Sequence, residues 1–149
     1  DKDGITAAVL LTEVAAAAVA DGRTVEDLLD GIAERFGRYV TAELSVRMDP
    51  VAAAAKVAAL QAAPPATLGG APVASVQWFA DANLLRLMVD GPDGAVRAQI
   101  RPSGTEPKVK IYLEVIEPVP DASRLAASRA TAQGRLDGIR ADFERLTAL

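Results

Sequence analysis

Residues 95–115 read AVRAQIRPSGTEPKVKIYLEV, and this stretch decides the fold. Its two halves alternate with a period of two. Val96, Ala98 and Ile100 alternate with Arg97, Gln99 and Arg101; after a short gap Val109, Ile111, Leu113 and Val115 alternate with Lys110, Tyr112 and Glu114. Successive side chains of a strand point to opposite faces, so each half predicts a strand with one apolar and one polar face. The gap, RPSGTEPK at 101–108, predicts a stiff loop joining them. If the two strands pair directly, Arg101 and Lys110 flank that loop on the same sheet face.

Working outward, 73–79 and 84–90 read as two more strands, separated by a turn at 80–83. Gly91-Pro92-Asp93-Gly94 is a hairpin signal leading into the third strand. Beyond the fourth strand Pro118 and Pro120 close the sheet region, and Asp121 or Ser123 can cap a last helix running to about Leu146. Ala132, Leu136, Ile139, Phe143 and Leu146 recur at spacings of four and three, an apolar stripe suited to the apolar sheet face. Gly134 and Gly138 each weaken that helix by about 1 kcal/mol relative to alanine. On the N-terminal side, 62–72 (AAPPATLGGAP) reads as a loop and 50–62 as a helix with Pro50 in its first turn. Residues 38–49, RYVTAELSVRMD, read as extended, with a linker or domain boundary near 45–49. Thr24 caps a helix that stops at Gly37, with Asp27 where a full capping box has Glu or Gln. Residues 5–20, ITAAVLLTEVAAAAVA, form a helix apolar nearly all the way round, expected to be buried on most sides; without neighbouring structure it would expose that surface, which suggests that it belongs to a larger body. The fold class expected is α+β: a four-stranded antiparallel sheet packed on helices, preceded by two further helices.

Composition narrows the function classes. A net charge of −4 argues against a general nucleic-acid binder, though not against a small anion held by a local cluster of cations. There is no cysteine, so disulfides and thiolate metal sites are excluded; there is no histidine, the commonest general base and zinc ligand. No apolar run is long enough to span a bilayer, and no signal-peptide pattern marks the first helix. The expected location is the cytoplasm, with neither membrane nor nucleic acid as partner.

The loop suits a phosphate for separate chemical reasons. Arg101 offers a planar fork for two oxygens. Ser103 and Thr105 offer hydroxyl donors. Gly104 lets the backbone approach a ligand and aim its N–H groups inward. Of the two lysines that follow, Lys110 is favoured over Lys108 as the second cation, because Lys108 sits inside the loop where strand alternation need not hold. Residue chemistry alone leaves a solvated surface hairpin open, since turns use Gly, Pro and Ser for conformational reasons too.

RPSGTEPK followed by VKIYLEV resembles the C-terminal phosphate-binding loop of the α-D-phosphohexomutase family (phosphoglucomutase/phosphomannomutase), eight contiguous residues in a strand–loop–strand setting. The resemblance implies that Arg101, Ser103, Gly104 and Thr105 are phosphate ligands and that Lys110 is the basic residue after the loop. The opening Asp1-Lys2-Asp3-Gly4-Ile5 resembles the end of that family's third domain, which implies an active-site role for Lys2. Asp1-Lys2-Asp3-Gly4 alone is a weak signal; as a calcium loop it lacks the Glu of position twelve, where Thr12 stands. By this resemblance 1–46 are the last helices of domain three and 47–149 are domain four, which has a TATA-binding-protein-like fold and swings on a linker at 45–49.

The family's phosphoserine, its Asp-Gly-Asp motif for Mg²⁺ and its sugar-reading loop have no match in these residues. The chain is therefore expected to be a C-terminal piece, inactive alone, of an isomerase that moves phosphate between C1 and C6 of glucose or mannose phosphates through a bisphosphate, with Mg²⁺ held by other domains. The alternatives are a phosphopentomutase relative, a free-standing sugar-phosphate-binding module, and an interaction domain using its polar sheet face.

Overall fold

A computed structural model describes residues 3–91 and 94–147. Two helices come first. α1 (Gly4–Ala20) starts where the Asp3 carboxylate accepts the Thr6 N–H at 2.9 Å. α2 (Val25–Phe36) starts on a closed capping box: the Asp27 N–H donates to the Thr24 hydroxyl at 3.2 Å, and the Thr24 N–H donates to the Asp27 carboxylate at 2.6 Å. The shorter aspartate thus completes a box that usually uses Glu or Gln. Gly37 ends α2 with φ 86°, a left-handed value that favours glycine.

The chain then enters a five-stranded, wholly antiparallel sheet. Its strands are β1 (Arg38–Arg47), β4 (Ser75–Phe79), β5 (Leu84–Gly91), β6 (Gly94–Pro102) and β7 (Lys108–Glu117), in the order β1-β7-β6-β5-β4. β4 to β7 are the four expected strands, and Gly91 faces Gly94 across the β5–β6 turn, whose Pro92 and Asp93 lie outside the described residues.

β1 corrects the expected organisation. Residues 38–49 are expected to be extended with a linker near 45–49; the extended part is a sheet strand that runs on through Arg47, paired residue by residue with β7 from Arg38↔Glu117 to Arg47↔Lys108. Val40, Ala42, Leu44 and Val46 alternate with Tyr39, Thr41, Glu43, Ser45 and Arg47, so burying the first set against helices holds the segment in the sheet. The boundary expected at 46/47 and the linker at 45–49 fall on this strand and its exit. The change from helix to sheet comes at Gly37.

Two helices cover the apolar face. α3 (Pro50–Ala62), capped by Asp49 through the Val51 and Ala52 N–H groups at 3.0 Å, lies over β6 and β7; α4 (Leu125–Thr147) lies over β1 and β7. Asp121 caps a short 3₁₀ turn, Ala122–Arg124, just ahead of α4. The core joins Leu85, Leu87, Ile100, Ile111, Leu113 and Val115 of the sheet to Ala132, Leu136, Ile139 and Phe143 of α4; Leu146 is partly buried against it. The loop at 62–72 holds a small ribbon, β2 (Thr67–Leu68) and β3 (Ala71–Pro72), turning on Gly69 and Gly70, both at positive φ. The Gly69 N–H donates to Asp142 at 2.6 Å, which fastens the ribbon to α4.

α1 finds too little cover in this chain to bury its apolar surface. Of its residues only Ala18 is buried, and Ile5, Val9, Leu10, Leu11, Val14 and Val19 stand exposed. No single helix is long and apolar enough to cross a membrane.

Candidate functional site

The loop at 103–107 is held from three sides. β6 and β7 pair up to Arg101↔Lys110 and Pro102↔Val109, so the two cations are direct neighbours on one sheet face. The Ser103 N–H then donates to the Lys108 carbonyl at 2.9 Å, and the Lys108 N–H to the Glu106 carbonyl at 2.8 Å. The Met48 N–H, just past β1, donates to the Pro107 carbonyl at 3.1 Å. With Pro102 and Pro107 restricting φ at both ends, little conformational entropy remains to be lost when a ligand arrives.

Three side-chain donor groups at this end of the sheet have no partner among the described residues. The Nε of Arg101 is buried and has no hydrogen-bond partner among the described residues. A buried donor left unpaired is costly, and a charged one more so, so such a group usually marks a missing partner. The Ser103 and Thr105 hydroxyls make no side-chain hydrogen bond among the described residues. Gly104 lies outside the left-handed region, and a Cβ placed there would meet nothing within 4 Å. Neither backbone conformation nor packing within this chain requires glycine at 104; the space beside it is open.

Charge is concentrated around one carboxylate. Lys108 contacts Glu106 at 2.8 Å, and this hydrogen bond, with the Coulomb field of Lys108 and then of Lys110 and Arg47, holds the Glu106 carboxyl below its ordinary 4.5 against the opposing effect of burial. Lys108 is the first residue of β7, so strand alternation does apply to it and it shares the face of Lys110. It is nevertheless neutralised by Glu106, whereas Lys110 has no carboxylate within ion-pairing distance among the described residues.

Five of the six expected site residues, Arg101, Ser103, Gly104, Thr105 and Lys110, therefore gather at one end of the sheet. Lys2 lies outside the described residues. The hollow beside the loop, about 340 Å³, is lined by Ser45, Arg47, Glu106, Pro107 and Lys108, on the β1 flank; none of the five is among its lining residues. Sequence reasoning missed Arg47 because it placed 45–49 in a linker; the period-two alternation running from Tyr39 to Arg47 was the available signal. A larger hollow of about 390 Å³ lies farther along the polar face, around Gln99, Tyr112 and Glu43. Its arginine, Arg97, is already paired with Glu114 at 3.0 Å, so the loop and not this hollow suits an anion. No group of three carboxylates among the described residues could hold a metal ion.

The family model for the phosphoglucomutase/phosphomannomutase C-terminal domain matches residues 43–132, which include the whole loop. A Haemophilus influenzae protein named probable phosphomannomutase is 34% identical over 130 residues, covering 85% of this chain and 27% of that relative. The chain thus spans little more than a quarter of the relative's length.

Proposed function

Because the chain belongs to the phosphoglucomutase/phosphomannomutase family, matching its C-terminal domain, we propose that it supplies the phosphate grip of a phosphohexomutase that moves phosphate between C1 and C6 of a hexose through a bisphosphorylated intermediate. The observation carrying this reading is the buried Nε of Arg101, without a partner among the described residues, at the root of a stiff loop whose hydroxyls also find none there. Arg101 would take two phosphate oxygens, Ser103 and Thr105 would donate hydroxyls, the open backbone at Gly104 would approach the ligand, and Lys110 would balance its charge. These groups recognise a dianion and not one sugar face, which suits a substrate bound in either of two orientations. Glucose and mannose 1- and 6-phosphates are the proposed ligands.

The rest of the reaction belongs to other parts of the parent protein. The phosphorylated serine and Mg²⁺ are expectations from family resemblance; no group of three metal-ligating side chains among the described residues fits a metal ion. Lys2 is proposed as an active-site residue on the same ground. Without the nucleophile this chain alone holds a phosphate but does not transfer it. We divide the chain at Gly37, between α2 and β1, where the helices give way to the sheet.

Calorimetry with glucose 6-phosphate on the full-length enzyme tests this. Losing a charge-assisted contact costs about 1.5–3 kcal/mol, so Arg101→Ala is expected to weaken binding roughly 10- to 100-fold. Unchanged affinity would leave the loop an ordinary surface turn and return the interaction-domain reading to the front.

A further inference from the structure

We infer that Arg47, at the end of β1, is a further phosphate-binding cation that completes the loop from the side opposite Arg101. The inference rests on the phosphate-grip reading and adds a residue to it. The pairing of β1 with β7 sets Arg47 directly across from Lys108, and the loop closes where the Ser103 N–H meets the Lys108 carbonyl. Arg47, Lys108 and Ser103 thus lie in one row across the sheet end. Strands sit about 4.8 Å apart, so the Arg47 backbone is roughly 10 Å from that of Ser103, within reach of an extended arginine and a phosphate between them.

Alternation puts Arg47 on the face that carries Lys108 and Lys110, and its side chain lines the hollow beside the loop with Glu106 and Lys108. The Met48 N–H bonded to the Pro107 carbonyl ties the backbone just after Arg47 to the loop itself. Arg47 has no ion-pair partner within 4 Å among the described residues. Its field reaches the Glu106 carboxylate, the one anion already lying in the hollow. Arg47, Arg101, Lys108 and Lys110 make four cations against the single carboxylate of Glu106, in a chain whose net charge is −4. Such a local reversal of sign draws a dianion inward and holds it on the Lys108 side. An arginine on an edge strand can also serve only to keep other strands away. That role requires neither the hollow nor the bond to the loop, and it predicts no effect on ligand.

The test is binding and turnover of glucose 6-phosphate by the full-length enzyme at low and high ionic strength. Arg47→Ala is expected to weaken binding about three- to tenfold at low salt, the size of one charge acting across several ångströms of partly screened space. The deficit should shrink at high salt, KM should rise with kcat unchanged, and Arg47→Lys should recover most of the affinity. Arg101→Ala runs alongside. If Arg101→Ala weakens binding while Arg47→Ala leaves affinity and its salt dependence unaltered, this inference is wrong and the loop reading stands. Arg47→Lys as weak as Arg47→Ala would also overturn the charge role. If Arg101→Ala itself has no effect, both readings fall.

Discussion

Gly94 opens β6 and Gly104 lies two residues past its end, yet they are glycines for opposite reasons. Gly94 has φ 100°, and a Cβ there would come within 2.1 Å of the Ile116 carbonyl on the neighbouring strand. Backbone cannot yield as a side chain can, so Gly94→Ala should destabilise the fold by about 3 kcal/mol or more. Gly104 has neither constraint. Gly104→Ala should therefore move the thermal midpoint by no more than an ordinary surface change, about 0.5 kcal/mol, while lowering glucose 6-phosphate affinity of the full-length enzyme severalfold. Thermal melts and calorimetry on the two variants separate a glycine kept for folding from one kept for a ligand. The chemistry of RPSGTEPK was readable as residue types; that the Arg101 Nε is buried without a partner was not, because burial depends on what the sheet and helices place around it.

At the level of elements, the strands on either side of the loop and the stripe on α4 followed directly from periods of two and of 3.6. β1 did not, although its alternation was present, because Pro50 and the mixed polarity of 38–49 also describe a linker. What decides it is the partner strand: each apolar residue of β1 is covered only once β7 and α4 are in place. The same packing carries α4 through Gly134 and Gly138 without a break. A Cβ added at Gly138 would sit 3.9 Å from the Gly69 Cα in the ribbon turn, an ordinary van der Waals contact. Gly134 is exposed with nothing within 4 Å. Gly134→Ala should accordingly stabilise the protein by about 0.5–1 kcal/mol, seen as a rise of a few degrees in the thermal midpoint. α2 is tied to this body by side chains distant in sequence: Arg38 bonds Asp30 at 2.7 Å and Ser128 at 3.2 Å, and Arg129 bonds Glu26 and Asp30 at 2.9 and 3.1 Å.

For the whole molecule, pH dependence follows from the same carboxylates. Asp3, Asp27 and Asp121 are held below the ordinary 3.8 by helix- and turn-capping hydrogen bonds from Thr6, Thr24 and Ser123; Asp30 is lowered chiefly by its hydrogen bond from Arg38, and Glu106 lies below 4.5 chiefly through Lys108. Each binds a proton less readily folded than unfolded, so stability rises with pH between its two values. Their contribution is complete above the unfolded values and is lost as pH falls through the lowered folded ones. With no histidine to titrate, the thermal midpoint should stay nearly flat from pH 6 to 8 and drop below about pH 4.5. A steep change near pH 6.5 would contradict this account. What the sequence determined by itself is local: helix and strand periods, caps, and the donor types in the loop all act through neighbours a few residues apart. Tertiary structure decided that 38–47 pairs with β7 as a sheet strand, that the strands of Arg101 and Lys110 pair directly, and that Arg47 stands across from Lys108. Those facts depend on strand register, and register is selected by burial of one sheet face against helices far along the chain.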